Sequence, residues 1–233
     1  MNRLINGIQQ VGIGVKNARA AFEWYKKYFG FNTVVFEDVA EASLMYRYTG
    51  GQIHQRYAVL AMNMQGGGGL EIWQYTSRTP KAAKEILQVG DPGIYAIKIK
   101  CRNVEALYQY YKKEKITIVS SIAVNAVGEK HFFIRDPFDN LFQLVKDDYW
   151  FQNKSELTGG VCGAIIGVSN MESAIQFYKT TLDYQELKFQ GNIQEENFKE
   201  LPGGNRKGNY TILKNTPSYR GAFSKLLGPV LLS

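Results

Sequence analysis

The chain has 233 residues, 45% of them apolar, enough to bury the core of one large or two ordinary domains. It has no apolar run of about eighteen residues, and the opening MNRLINGIQQ lacks the apolar centre of a secretory signal, so a membrane span is excluded on this pattern and a cytoplasmic location is expected. The net charge of +7 comes from lysines and arginines that alternate with acidic residues, a pattern that argues against nucleic-acid binding, which needs a clustered basic footprint, and leaves room for an anionic small molecule.

In chain order, IQQVGIGV, ending at Val15, reads as a strand. Asn17 is placed to cap a helix whose Ala18, Ala21, Phe22, Tyr25 and Phe29 form an apolar stripe. Strand patterns follow in NTVVFEDV, SLMYRYTGG, RYAVLAMNM and, past QGGGG, LEIWQY. No lysine and no helix follow QGGGG, so it reads as a hairpin connection and not a phosphate loop. Residues 76–92 form a link with a helical turn expected at its centre. A second strand, IYAIKIKC, ends at Cys101; Asn103 then caps a helix with Val104, Leu107, Tyr108 and Tyr111 on one side. Next come ITIVSSIAV, KHFFIRD and LFQLV, the last two joined by DPFDN, where Pro137 and its Asp and Asn neighbours suit a turn. Residues 147–159 lead to VCGAIIGV, Asn170 and a third helix with Met171, Ala174, Ile175, Tyr178 and Leu182; then QELKFQ, a polar stretch through LPGGNRKG, YTILKN and GPVLLS. Cys101 and Cys162 both fall in apolar strand segments and read as reduced thiols acting as small hydrophobes.

Each of the three strands stops two residues before its asparagine, and each helix carries an aromatic-Tyr-Lys triplet: Trp24-Tyr25-Lys26, Tyr110-Tyr111-Lys112 and Phe177-Tyr178-Lys179. The chain is therefore a repeat of one unit: a strand, a helix, then three or more strands.

A repeated βαβββ unit with an aromatic-Tyr pair in its helix and a DPFDN-type turn before its last strand resembles the vicinal oxygen chelate superfamily, which holds glyoxalase I, bleomycin-resistance proteins and extradiol dioxygenases. The resemblance implies an α+β fold in which two βαβββ units pair into a curved-sheet cleft with helices outside, plus a third unit whose pair is incomplete. Units one and two, residues 5–75 and 93–146, are expected to pair within a domain of residues 1–148. Unit three, 149–233, then lacks a partner unit and is expected to pack on a second copy, giving a homodimer, or on a further unit. In that family a divalent metal sits in the cleft, held from the first and last strands. Counting seven residues back from the capping asparagines carries the first-strand position to Gln10, Ala96 and Gly163. The last-strand position falls on Glu71 and Gln143.

Strand parity puts Gln10, Gly12 and Gly14 on one face with Val11, Ile13 and Val15 on the other; likewise Glu71 and Trp73 oppose Leu70 and Ile72, and Ala96, Lys98 and Lys100 oppose Ile97, Ile99 and Cys101. The cleft face is polar and the helix face apolar. Gln10, Glu71 and Gln143 could offer three oxygen donors to magnesium, manganese or calcium, weakly, since only one is charged and Ala96 offers none. Zinc or iron would want the imidazole or thiolate that these positions lack. Lys98 is expected on the same face as Glu71, where an ammonium could replace the cation. His131 shares its face with Phe133 and Arg135, and His54 lies in a loop read as solvent-exposed. Two functions follow. One is a binding protein for a small, anionic or aromatic molecule held by Trp73, Lys98, His131 and Phe133, with a degenerate metal site. The other is an active divalent-metal-dependent lyase, isomerase or dioxygenase on a substrate with vicinal oxygens, with Glu71 as the catalytic anchoring carboxylate.

Overall fold

The computed structural model describes residues 7–193, 196–206, 208–215 and 227–232; the expectations for the opening MNRLIN and for Ser233 lie outside them. Unit one opens with β1 (Gln10–Gly14) and α1 (Ala18–Phe29). Asn17 caps α1 by accepting the Ala20 N–H at 3.0 Å, and Gly30, at φ +68°, closes it in the left-handed conformation that glycine adopts without strain. Asn103 and Asn170 cap the other two helices in the same way, accepting from the N–H groups of Ala106 and Ser173. Strands β2 (Thr33–Glu41), β3 (Gln55–Asn63) and β4 (Gly68–Tyr75) complete a four-stranded sheet of order β1-β4-β3-β2, with β1 parallel to β4.

The expected strand in SLMYRYTGG is instead a 3-10 helix, Ser43–Tyr48. Ala42 N–H already bonds His54 O, closing the β2–β3 ladder beneath it. The excursion therefore has no strand edge to join and satisfies its backbone locally, as in Met45 N–H to Ala42 O and Gly51 N–H to Tyr46 O. The link 76–92 forms no helical turn.

Unit two comprises β5 (Gly93–Cys101), α2 (Val104–Lys113), two short strands β6 (Thr117–Ile118) and β7 (Ala123–Val124), β8 (Lys130–Arg135) and β9 (Leu141–Lys146). Between β6 and β7 the Ser120 hydroxyl oxygen accepts the Phe133 N–H at 2.9 Å, a side-chain bond in place of a ladder bond, so ITIVSSIAV is broken in two. Unit three comprises β10 (Thr158–Gly167), α3 (Met171–Leu182), β11 (Glu186–Asn192), a 3-10 helix Glu196–Glu200, β12 (Asn209–Lys214) and β13 (Leu227–Leu232).

Units two and three share one sheet, of order β11-β12-β13-β10-β5-β9-β8-β6 with β7 on β8. Its seam is the antiparallel pair β5–β10, the first strands of the two units. This corrects the expected pairing of units one and two. β10 takes the free edge of β5, while β1 pairs with β4 and stays in the other sheet. Unit one packs against unit two through helices instead. Tyr25 and Phe29 of α1 lie with ring centroids 5.8 and 4.8 Å from Phe142 of β9, and the Tyr111 hydroxyl of α2 donates to Tyr28 O at 2.9 Å. One core links Val11, Ile13 and the α1 stripe to Ile97, Ile99, Leu107, Tyr111 and Leu144. α1 thus lies between the four-stranded sheet and the shared sheet, with α2 beside it on the shared sheet.

The QGGGG segment is the β3–β4 hairpin, and it is also where the sheets touch. A Cβ on Gly66 would sit 1.4 Å from Gly159 O, and one on Gly68 would sit 2.0 Å from Val161 O, so only glycine allows this approach. The buried Gln65 side chain staples the following link, donating to Glu156 O and Thr158 O and accepting the N–H groups of Lys154 and Glu156. In unit one β2 is exposed along its length, with Val35 58% and Val39 62% accessible, and among the described residues β1 bonds only β4; in unit three the edge strand β11 is exposed as well.

Candidate functional site

The nine-stranded sheet has one face against the helices and one free of them. Across β8, β9, β5 and β10 the register sets Phe133, Gln143, Lys98 and Gly163 in one row of the helix-free face. The next rows are Arg135, Leu141 and Ala96 on one side, and His131, Val145 and Lys100 on the other. With strands about 4.8 Å apart, Phe133 and Lys98 stand roughly 10 Å from each other. The structure therefore brings together Lys98, His131, Phe133 and Gln143.

All four are buried: Lys98 is 1% accessible, Gln143 4%, and His131 and Phe133 are sealed. Lys100 is paired, its ammonium 3.9 Å from Asp147 and donating to Tyr149 O at 3.2 Å. Burial pushes the Asp147 carboxyl up despite Lys100. Lys98, by contrast, makes no hydrogen bond or ion pair among the described residues, and beside it Gln143 Oε1 has no partner. Burial lifts the Cys162 thiol to about 12, and Lys98 and Lys100 offset this only in part, so it stays an inert thiol. The same burial takes Cys101 to about 12.

Over Phe133 and His131 the cover is the chain itself. Asn197, Phe198 and Leu201, in and just after the 3-10 helix, are buried on this face with Phe133, Ile165, Tyr210 and Ile212. His131 Nε2 lies 3.3 Å from Asn197 Oδ1. Sequence reasoning passed over this segment as polar. The signal was Phe198 and Leu201 three residues apart, the spacing that eclipses on a 3-10 turn.

Gln10, Glu71 and Trp73 lie elsewhere, on the helix-free face of the four-stranded sheet. Gln10 Nε2 donates to Glu71 Oε2 at 3.1 Å, and Trp73 meets Tyr75 edge to face at 4.7 Å. Their strand parity is as expected, since Val11, Ile13, Leu70 and Ile72 all face the helix core. Gln143 is not with them, however, so the three expected metal donors are divided between two sheets, and Lys98 does not face Glu71. Both corrections follow from the β5–β10 seam. His54 is partly exposed, with its Nδ1 3.1 Å from Ser77 Oγ.

The superfamily's metal finds a poor match here. The shared sheet offers Gln143 alone, with Ala96 and Gly163 at the other positions and no donor side chain in the LGPVLL of β13. Among the described residues no three His, Cys, Asp or Glu side chains converge. Unit one offers two oxygen-bearing side chains, Gln10 and Glu71.

The fold has relatives of known structure. A putative dioxygenase from Bacillus subtilis subsp. subtilis str. 168 superposes with a TM-score of 0.61 at 11% identity, over 99% of this chain and 64% of its own. Glyoxalase I from Zea mays gives 0.58 at 13%, over 97% and 67%. A glyoxalase family protein from Bacillus cereus gives 0.51 at 14%, over 62% and 95%. The chain thus spans about two thirds of the length of the first two. At these identities the likeness concerns the fold. No curated protein sequence matches the chain. The sequence profile of one family does match, over residues 7–144, which takes in units one and two with their strand–helix–strand order and the Asp136–Asn140 turn: the chain belongs to the Glyoxalase/Bleomycin resistance protein/Dioxygenase superfamily.

Proposed function

We propose that the protein binds a small anionic molecule with an aromatic part on the helix-free face of the sheet shared by units two and three, and that the superfamily's metal site is degenerate there. The observation that carries this reading is Lys98, an ammonium buried at the centre of the face with no acceptor among the described residues. An isolated buried charge is costly, and an anion beside it removes that cost. Phe133 and His131 supply ring contact about two strands away, and Gln143 Oε1 adds a hydrogen-bond acceptor for a ligand hydroxyl or N–H. A metal would meet one neutral donor and a fixed positive charge at the same place, so no step is assigned to one.

Calorimetry with benzoate and benzamide tests this, using Lys98→Met. A charge-assisted bond contributes about 1.5–3 kcal/mol, so benzoate should weaken roughly 10- to 150-fold while benzamide changes little. Equal losses for both probes, or no binding of either to the unmodified protein, would remove the proposal.

One observation favours a second reading. Gln10 and Glu71 place two oxygen-bearing side chains side by side on a half-open face next to the free edge of β1. This is the reading of a metal-dependent lyase, isomerase or dioxygenase, with Glu71 as the anchoring carboxylate and with magnesium, manganese or calcium held weakly. Tight, stoichiometric zinc or manganese lost in Glu71→Gln would put it first. A homodimer through the third unit would use its exposed edge strand β11, and β2 of unit one is a second open edge among the described residues.

A further inference from the structure

The residues proposed to hold the ligand are closed to solvent, so something must move before a ligand reaches them. Over Phe133 and His131 the cover is the segment Glu196–Arg206, and its contacts have the form of a bound molecule. The Phe198 ring stands 5.4 Å from Phe133, 6.5 Å from His131 and 6.5 Å from Tyr210, all edge-on or tilted, as aromatic pairs prefer. Next to it the Asn197 carboxamide spans His131 Nε2 at 3.3 Å, Ser121 O at 3.2 Å and Ser120 Oγ at 3.5 Å. A flat ring beside a carboxamide thus sits over the Phe133 and His131 end of the face, two strands from Lys98.

The segment is held on the outside by few bonds. The Glu200 carboxylate accepts the Ser121 N–H, at 3.0 Å to each oxygen, and the Ser121 hydroxyl; Val89 N–H donates to Pro202 O at 2.9 Å. Its one regular element is a five-residue 3-10 helix, too short to be stable by itself, so its order depends on docking.

We infer that Glu196–Arg206 is an intramolecular occupant of the ligand cleft, with Asn197 and Phe198 standing where the ligand binds, so that binding displaces them and the ligand is a flat ring bearing a carboxylate. The inference rests on the binding reading above. A carboxylate ligand repeats the ring contacts and also pairs with Lys98, which the segment does not. That difference is what lets a ligand shift the equilibrium toward the displaced state. Apparent affinity then scales with the fraction of molecules in which the cleft is open, so any change that frees the segment tightens binding by the same factor.

Native-state hydrogen exchange of the full chain measures opening without a ligand. The Ser121 and Val89 amides, both bonded to the segment, should exchange at least roughly tenfold faster than the Ile99 and Leu144 amides of the central strands. Glu200→Gln weakens the outer latch while keeping its shape. It should speed exchange at Ser121 and Val89 and tighten benzoate by one common factor of roughly three to ten. Phe198→Ala is the second variant: benzoate should raise its Tm more than that of the unmodified protein, because the probe's ring refills the vacated space. Exchange of Ser121 and Val89 only at the rate of the central strands would show a permanent part of the core and overturn the inference. So would faster opening in Glu200→Gln with unchanged benzoate affinity, which leaves the binding reading intact. Local opening with no benzoate binding to any of the three proteins would remove the binding reading, and this inference with it.

Discussion

Replacing Tyr25 by Phe tests how units one and two are joined. Tyr25 is fully buried in α1, and its hydroxyl donates to Asp136 Oδ2 of the β8–β9 turn, 111 residues away, while accepting from Asn140 Nδ2 at 3.3 Å. Losing a hydrogen bond to a charged group costs about 1.5–3 kcal/mol. Asp136 would keep the N–H groups of Phe138 and Asn140 and the Asn140 amide, at 2.9, 2.8 and 2.9 Å, so it is not orphaned and the lower half of the range applies, about 2 kcal/mol. With a urea slope near 3 kcal/mol/M, the midpoint should fall by roughly 0.7 M. Fluorescence follows it, because the Trp24 ring stands 5.4 Å from Tyr25; circular dichroism on the same samples would show separate unfolding of unit one as non-coincident curves. A cycle with Asp136→Asn should give a coupling of at least about 1 kcal/mol. A midpoint unchanged within roughly 0.2 M, or additive single effects, would refute the claim that this bond ties the two units.

Asp136 and Asp147 are both raised by burial, with their hydrogen-bonding and cationic neighbours pulling back only in part. Their folded values exceed the unfolded value near 3.9, so in the window between the two the folded state holds more protons and stability falls as pH rises. Urea midpoints from pH 4 upward should show this slope, and Asp136→Asn should flatten it; an identical slope in the variant would contradict the assignment. Gly68→Ala would drive a Cβ into Val161 O and should lower stability by at least about 3 kcal/mol, measured as a thermal shift, whereas Gly12→Ala, with open space around it, should change little. Manganese or calcium should bind only at millimolar levels, and Glu71→Gln should abolish even that, as calorimetry would show.

Much of the fold was legible in local chemistry. Asn17, Asn103 and Asn170 announce three helix starts because an asparagine oxygen satisfies first-turn N–H groups whatever the tertiary context. The alternation through Val11, Ile13, Leu70 and Ile72 told which strand face meets a helix, since the side-chain period of a strand is fixed at two. Lys98, His131, Phe133 and Gln143 were likewise assigned to one kind of face, and they do meet on one. Which units share a sheet was not written in any one of them. Three first strands carry equivalent patterns, and the pairing of β5 with β10 comes with a long-range close contact between the glycines of β4 and β10 that no local pattern announces. That choice separated Gln10 and Glu71 from Gln143 and Lys98. The cover over the cleft was equally out of reach, because Asn197 and Phe198 sit in a stretch whose own preferences specify little, and only the aromatic pocket of His131, Phe133 and Tyr210 gives it a structure.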